Sequence, residues 1–231
     1  MPKTKQYPKI LSYVPIISTL KLQAVIQHLI VYQHIRRTKY INQLPHLLFM
    51  RVTISGKAGA GKSTVAKILS EKLKLKHYSI GDLMRVMAQE KNMTLLGLNK
   101  LAEKDKSIDF ELDNKLKELG RTKDNFVVDG RLTAYFIPNA DIKVFLDADD
   151  KVRAERILKD KRHRREGKSL KEIINIIKKR EESEKKRYKK YYRINYMDKN
   201  LYNFIIDTTK MNQNEVVDKI VRFVKTKQKS L

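Results

Sequence analysis

The sequence predicts a single α/β domain built on a parallel β-sheet and beginning near Met50. Short, mostly apolar segments alternate with longer amphipathic segments, a pattern that implies parallel strands joined by right-handed helical crossovers. The first of these strands runs directly into a glycine-rich loop, and a helix follows the loop. Of the 231 residues 41% are hydrophobic, which is enough for one core of this kind.

Five strands and four clear helices are expected. The strands are residues 51–55, 77–79, 125–128, 142–146 and 203–206. The helices are residues 63–73, 151–159, 170–190 and 214–225. In the first helix Val65, Ile68, Leu69 and Leu73 recur at helical spacing, so they share one side.

The glycine-rich loop matches G-x-x-x-x-G-K-[ST] at every defined position and predicts a nucleoside triphosphate site. Its residues are Gly56, Lys57, Ala58, Gly59, Ala60, Gly61, Lys62, Ser63 and Thr64. Glycines let the backbone approach phosphate oxygens, and the amides at the start of a helix favour anions. Lys62 is expected to bring its charge to the β- and γ-phosphates of ATP, and Ser63 to offer its hydroxyl to Mg²⁺.

Other segments must separate the GTPases, motors and kinases that share such a loop. A GTPase would carry an N-K-x-D segment that recognises guanine, and the sequence has none. A motor would normally be longer and carry paired acids after a hydrophobic strand, whereas here one acid, Asp129, is followed at once by Gly130 and Arg131. This combination favours a small-molecule kinase.

A segment after the second predicted strand is a candidate for binding the acceptor phosphate. Gly81 permits a close turn, Asp82 is expected to cap the next helix, and Arg85 lies one turn along that helix. The fork of an arginine suits a phosphate better than a lysine does.

The third predicted strand ends in a second candidate segment. Open α/β sheets bind ligands at the carboxyl ends of their strands, which is where Asp129, Gly130 and Arg131 fall. Asp129 would hold Mg²⁺ through water, and Arg131 would clamp an acceptor phosphate. With the loop, the two segments predict a site for two phosphates.

From Met50 to about Val224 the chain resembles the cytidylate kinases of the compact archaeal type, within the P-loop nucleoside-monophosphate kinase superfamily. The resemblance rests on residues 54–56 with the loop, 81–85, 129–132, 153–157 and 179–188. Adenylate kinases are similar too, but they typically have D-G-[FY]-P-R where this chain has Asp129-Gly130-Arg131. Thymidylate kinases typically carry an Asp-Arg-Tyr-type motif there.

This resemblance implies a fold and an activity. The fold is a five-stranded parallel sheet flanked by helices, with a nucleoside-monophosphate-binding segment at about 80–122 and a mobile lid at about 160–170. The activity is transfer of the γ-phosphate of ATP to CMP, and often to dCMP, with Mg²⁺. The acceptor phosphate is itself the nucleophile, so catalysis is alignment and charge neutralisation.

The resemblance also assigns roles to single residues. Arg131 and Arg180 would grip the CMP phosphate with Arg85 nearby, Glu184 would lie near the sugar, and Arg187 would bridge to the transferring phosphoryl group. The expected catalytic residues are therefore Lys62, Arg131, Arg180 and Arg187. The lid candidates are Arg156, Arg162, Arg164 and Arg165. Asp109 and Asp113 are possible contacts of the base, but the sequence favours two carboxylates on a helix surface.

Composition leaves alternatives open. The formal charge of +25 suggests attraction to polyanions, so an RNA-associated P-loop ATPase stands beside kinases for UMP, AMP or a broad acceptor set. The chain has no cysteine, which excludes disulfides and thiolate catalysis, and its five histidines lack metal-ligand spacing. We expect a cytoplasmic monomer that binds ATP with CMP or dCMP and needs no nucleic-acid or membrane partner.

Residues 1–49 differ in composition and are expected to be an N-terminal extension of the kinase domain at 50–231. Up to Met50 there are seven Lys or Arg residues, no Asp or Glu, and four of the five prolines. Translation that begins at Met50 would explain this difference. An interfacial helix or a mitochondrial-type presequence is the alternative, since apolar residues recur at helical spacing between Ile16 and Ile35.

Overall fold

A computed structural model describes residues 50–160 and 169–229 of the chain. The predicted N-terminal extension lies outside the described residues, as does most of the predicted lid. Three of the four lid candidates, Arg162, Arg164 and Arg165, are in that part.

The described residues contain one parallel sheet in the order β2-β3-β1-β4-β5. The strands are β1 Arg51–Gly56, β2 Lys76–Ser79, β3 Phe126–Asp129, β4 Ile142–Asp147 and β5 Phe204–Asp207. The predicted number and direction of strands are confirmed, and each predicted boundary is within one residue of the observed one.

Eight α-helices surround this sheet in the described residues. They are α1 Lys62–Leu73, α2 Ile80–Glu90, α3 Leu95–Lys104, α4 Ser107–Thr122, α5 Thr133–Phe136, α6 Asp150–Lys159, α7 Leu170–Tyr192 and α8 Gln213–Lys229. None of them is long and apolar enough to cross a membrane. The N-cap of α2 is Ser79, whose hydroxyl accepts the backbone N–H of Asp82 at 3.2 Å. The predicted capping role of Asp82 is therefore wrong, because Asp82 already lies in the first turn.

The central strand β1 is buried on both faces, as expected for a parallel sheet covered by helices. Val52 and Ile54 are fully buried in a cluster that also contains residues of α1 and α8. Thr53 and Ser55 alternate with them and are also fully buried. The Ser55 hydroxyl shares a hydrogen bond of 2.9 Å with that of Thr133, which satisfies a polar group that burial would otherwise penalise.

Helices α2, α3 and α4 have a hydrophobic cluster of their own, centred on Leu98, Ile108 and Leu112. They span the residues that the resemblance assigns to acceptor binding, 80–122. The long helix α7 contacts this group: the Tyr191 hydroxyl donates to the carbonyl of Ala102 at 3.0 Å. Helix α2 follows β2 directly along the chain, and α3 packs on α7.

Strand register brings the chemically interesting residues to one edge of the sheet. Ile54 of β1 is level with Asp129 of β3, and Gly56 is level with Leu146 of β4. Because all strands are parallel, the loop after β1 and the segment after β3 leave the sheet side by side.

Candidate active site

The phosphate-binding loop has the tight backbone that its glycines predict. Gly56 has φ +144° and Gly59 has φ +74°. A Cβ at Gly56 would lie 2.1 Å from the carbonyl oxygen of Leu146, and one at Gly59 would lie 2.4 Å from that of Arg153. The loop therefore packs directly on the backbone of β4 and α6, and only glycine fits at either position.

A buried arginine that the sequence analysis left without a role supports the loop from behind. Arg153 is 1% exposed and donates from Nη1 to the carbonyl of Ala58 at 3.0 Å. Its guanidinium also contacts Asp150 and Glu181 at 2.5 Å. The stretch 153–157 belongs to the resemblance, which was the available signal, but the contact with Ala58 spans 95 residues and depends on the fold.

Asp129, the last residue of β3, contacts three polar side chains at the edge of the sheet. It is 1% exposed, and its Oδ2 accepts from the hydroxyls of Ser63 at 2.7 Å and Ser79 at 3.2 Å. Nε2 of His77 lies 2.8 Å from the other carboxylate oxygen and donates to it. His77 was among the five histidines without metal-ligand spacing and had no predicted role, whereas in the structure it holds this carboxylate.

Arg131 links the loop to α7. Its Nη1 donates to the carbonyl of Gly56 at 2.8 Å, and its Nε donates to Glu184 at 2.7 Å. Burial would raise the pKa of Glu184, but the charges of Arg131 and Arg180 outweigh burial and lower it. The carboxylate therefore stays ionised, pairs with Arg131 and lies close enough to Arg180 to feel its charge.

Lys62 of the loop is held in an electropositive setting. Its ammonium donates to the carbonyl of Lys57 at 2.7 Å. Burial and the charge of Arg131 hold the pKa of Lys62 well below its ordinary value. An anion bound in the loop would raise the pKa of Lys62 again, because a nearby negative charge stabilises the ammonium form.

Helical periodicity explains how α7 supplies several of these groups. The buried side chains of α7 are Ile173, Ile177, Arg180, Ser183, Glu184, Arg187 and Tyr188. Steps of three and four residues place them on one face. Its first part is apolar and packs on α6, and the part that reaches the sheet edge carries charge.

A cavity of about 530 Å³ opens at the edge of the sheet, between the loop, α2, α4 and α7. Most of the predicted site residues line it: Ala58, Gly59, Ala60, Gly61, Lys62, Ser63, Thr64, Gly81, Arg85, Asp129, Gly130, Arg131, Arg156, Arg180 and Glu184. The structure therefore brings the loop and both acceptor segments together around one space.

Of the predicted site residues that lie in the described part of the chain, four are not among those that line this cavity. The carbonyl of Gly56 anchors Arg131, and Lys57 forms an ion pair with Asp147 at 3.1 Å. Asp82 pairs with Arg85.

Arg187 is the fourth and differs most from expectation. It is 1% exposed and donates to Asp109 at 2.7 Å, to the carbonyl of Asn99 at 3.0 Å and to Ser183 at 2.7 Å. Its guanidinium thus connects α7 with α3 and α4 and is turned to structural partners.

Asp109 and Asp113 are buried, so the interpretation as helix-surface carboxylates is wrong. They are 4% and 5% exposed and both line the cavity. Burial raises the pKa of Asp109 despite its ion pair with Arg187, and it raises the pKa of Asp113 to about 7. The sequence held a usable signal, because helical spacing places Asp109 and Asp113 on the same face of α4 as the apolar Leu112 and Leu116.

Another wall of the cavity is formed by the segment after β5, which the sequence did not predict. Thr208, Met211, Asn212, Gln213 and Val216 line it. Arg156 joins this wall: it donates to the hydroxyl of Thr208 at 2.9 Å and to its carbonyl at 2.7 Å. The segment has no motif, so its position follows only from the register of β5 beside β4.

A metal ion at this site would need ligands beyond the side chains. No cluster of three or more His, Asp or Glu residues that could hold a metal occurs in residues 50–160 and 169–229. Ser63 and Asp129 still suit Mg²⁺, which keeps several waters and takes its other oxygens from substrate phosphates. Ser63 and Asp129 both line the cavity, at the point where the loop ends and α1 begins.

Comparison with known proteins agrees with this geometry. Residues 51–210 match the model of the cytidylate kinase-like family. The cytidylate kinase of Archaeoglobus fulgidus is 41% identical over 179 residues, covering 78% of this chain and 97% of that protein. The cytidylate kinase of Methanosphaera stadtmanae is 40% identical over 179 residues, covering 78% of this chain and 100% of that protein.

Solved structures share the fold at low identity. A shikimate kinase from Bacteroides thetaiotaomicron superposes with a TM-score of 0.55 at 18% identity, covering 77% of this chain and 99% of that one. An uncharacterised protein from Eubacterium ventriosum superposes with a TM-score of 0.57 at 22% identity, covering 76% of this chain and 98% of that one. The family match covers well over half of the chain, and the chain belongs to the cytidylate kinase-like family of P-loop kinases.

Proposed function

We propose that this protein transfers the γ-phosphate of ATP to CMP, and to dCMP, giving ADP and the pyrimidine nucleoside diphosphate. Family membership supports the reaction class, and its relatives are named cytidylate kinases. The observation that carries the proposal is the buried Arg131–Glu184 pair at 2.7 Å, which lies beside the phosphate loop and has Arg180 next to it. Arg131 and Arg180 thus form a second cationic group beside the one in the loop. A P-loop enzyme that used only water as acceptor would have no second phosphate for such a group to bind.

In this mechanism the acceptor phosphate supplies the nucleophile. An oxygen of the CMP phosphate attacks the γ-phosphorus, the bond to the β–γ bridging oxygen breaks, and ADP leaves with the electron pair. A phosphate monoester has a second pKa of about 6, so it is largely ionised at neutral pH and needs no general base. Catalysis is then alignment of two anions that would otherwise repel each other.

The residues of this chain carry that alignment. The loop amides and Lys62 hold the β- and γ-phosphates of ATP. Arg131 and Arg180 hold the CMP phosphate, and Glu184 keeps them in place and is available to the ribose. Arg85 closes the acceptor side from α2, where it lines the cavity.

Mg²⁺ fits the oxygen-rich corner formed by Ser63 and Asp129. Ser63 would bind it directly and Asp129 through water, because the carboxylate already accepts from Ser63, Ser79 and His77. When bound, the ion neutralises charge on the phosphates.

Closure of the site would exclude water, which otherwise competes as acceptor. Arg156 lies on the ATP side of the cavity, and with the basic run that contains Arg162, Arg164 and Arg165 it is a candidate to contact ATP phosphates. The protein is proposed to act as a cytoplasmic monomer, which stays a prediction.

The proposal is tested by following CDP formation from ATP and CMP by chromatography. Arg180→Ala should lower kcat/KM for CMP by about 10²- to 10³-fold, since it removes a charged contact to the reacting phosphate. Lys179→Ala is the matched control, because it removes one positive charge from an exposed position of the same helix. Absence of CDP with the wild-type protein would overturn the proposed function.

A further inference from the structure

The part of the cavity beside Gly81 and Arg85, its acceptor end, is lined by apolar side chains from two helices. Ile80 and Met84 of α2 line one part of it, and Leu112 and Leu116 of α4 line another. All four are apolar, so a base entering here would bury its faces against hydrocarbon. Hydrogen-bonding groups along the edge of the ring must then decide which base is accepted.

Two carboxylates on α4 line this end, and their hydrogen bonds differ. Asp109 uses both oxygens on the guanidinium of Arg187, at 2.7 and 3.3 Å. Asp113 accepts one hydrogen bond, from the Tyr192 hydroxyl to Oδ2. Among the described residues no donor binds Oδ1 of Asp113, although the side chain is only 5% exposed and lines the cavity.

We propose that Asp113 is the residue that selects the base of the acceptor, with Oδ1 accepting a hydrogen bond from the exocyclic amine of cytosine. The inference rests on the proposed function, since it assumes a pyrimidine monophosphate in the acceptor subsite. Cytosine presents an N4 amine at the edge where uracil presents the O4 carbonyl. A carboxylate that faces the amine of cytosine accepts a charge-assisted hydrogen bond from it. A carboxylate that faces O4 of uracil would place two hydrogen-bond acceptors against each other, with no donor between them.

Burial and, after it, the charged and polar neighbours of Asp113 set its pKa and make this selection dependent on pH. Tyr192 and Arg187 on α7, and Asp109 and Lys117 on α4 itself, act on its carboxyl group. Nearby elements add Arg85 on α2, which lines the same cavity, and Tyr135 on α5, whose ring lies 6.4 Å from that of Tyr192.

Burial is the largest influence and raises the pKa of Asp113 to about 7. Below that pH the carboxyl group is protonated and can donate to O4 of uracil. The preference for CMP over UMP should therefore decline as the pH falls.

The test is the ratio of kcat/KM for CMP to kcat/KM for UMP, measured on the full chain between about pH 5.5 and pH 8.5. Both substrates carry the same phosphate, so its own ionisation cancels in the ratio, and kcat/KM reports the pKa of the free enzyme. The wild-type ratio should fall about 10- to 30-fold from the highest to the lowest pH, following the loss of the carboxylate. A ratio that does not change with pH would overturn the inference.

Substitutions separate this role from a structural one. Asp113→Asn should lower the ratio about 10- to 100-fold at pH 8.5 and make it independent of pH, because an amide can donate to O4. Tyr192→Phe should move the midpoint of the wild-type profile to higher pH, because the hydrogen bond from Tyr192 lowers the pKa of Asp113. Glu111→Gln, an exposed carboxyl on the same helix, should leave the profile unchanged.

The outcomes distinguish the inference from the function on which it rests. Wild-type protein that forms no CDP would refute the function itself. CDP formation together with an Asp113→Asn variant that keeps the wild-type ratio would refute only the role of Asp113. If the Asn variant does not fold, the wild-type profile and Tyr192→Phe still decide.

Discussion

Asp113→Asn should stabilise the protein at alkaline pH, which follows from the burial of this carboxyl group. The pKa of Asp113 is about 7 in the folded protein, against an ordinary value of 3.8. The folded protein thus holds the proton more tightly than the unfolded chain does, so stability declines as the pH rises from about 4 to about 7. The cost is complete above this range, about 4 kcal/mol at pH 8, and is under about 2 kcal/mol at pH 5. An amide of the same size carries no such cost.

Urea denaturation at pH 5 and pH 8 measures this effect. The free energy of unfolding of Asp113→Asn minus that of the wild type should be larger at pH 8 than at pH 5, by about 1 to 3 kcal/mol. Glu111→Gln removes a carboxyl from the exposed side of the same helix, where the side chain is 53% exposed, and provides the control. An equal difference at both pH values would show that Asp113 is not held as argued.

Three substitutions test the phosphate sites. Lys62→Ala should lower kcat/KM by about 10³-fold or more with an unchanged circular dichroism spectrum, and near-normal turnover would contradict its role. Arg131→Ala should lose as much activity and also about 3 to 5 kcal/mol of stability in urea titration, because it leaves the Glu184 carboxylate buried and unpaired. Unaltered stability of that variant, or full stability loss also in Arg131→Ala/Glu184→Gln, would refute the pairing argument. Gly59→Ala should abolish binding of a fluorescent ATP analogue, since its Cβ would lie 2.4 Å from a backbone oxygen of Arg153.

The sheet and the phosphate loop could be predicted because their signals are local. Four of the five strands are short, mostly apolar runs, and parallel pairing follows from the alternation of strands with helical segments. Residues 80–122 were predicted as one segment only, since their three helices are fixed by packing among themselves around Leu98 and Ile108. The N-cap at Ser79 was missed because Asp82, three residues on, is an equally good capping residue by type.

The site was predicted as far as residue type and strand end determine it. Arg131 and Asp129 follow directly from their position after β3. The burial of Asp109 and the position of Arg187 depend on each other, since the two residues are 78 positions apart and meet through packing of α4 on α7. The resemblance assigned Arg187 to the reaction, and the sequence alone holds no sign of the contact with Asp109 that turns its guanidinium to structural partners.

The acceptor preference is the central claim, and a competition assay tests it most directly. CMP, dCMP, UMP, AMP and dTMP are offered together in equal amounts with limiting ATP and Mg²⁺, and the diphosphates are separated and quantified. We expect CDP and dCDP to dominate at pH 8, with UDP rising as the pH falls. The ADP yield is corrected for the ADP that the donor releases, so that it reports phosphorylation of AMP. If that corrected yield equalled the yield of CDP, the proposed preference for CMP would be contradicted.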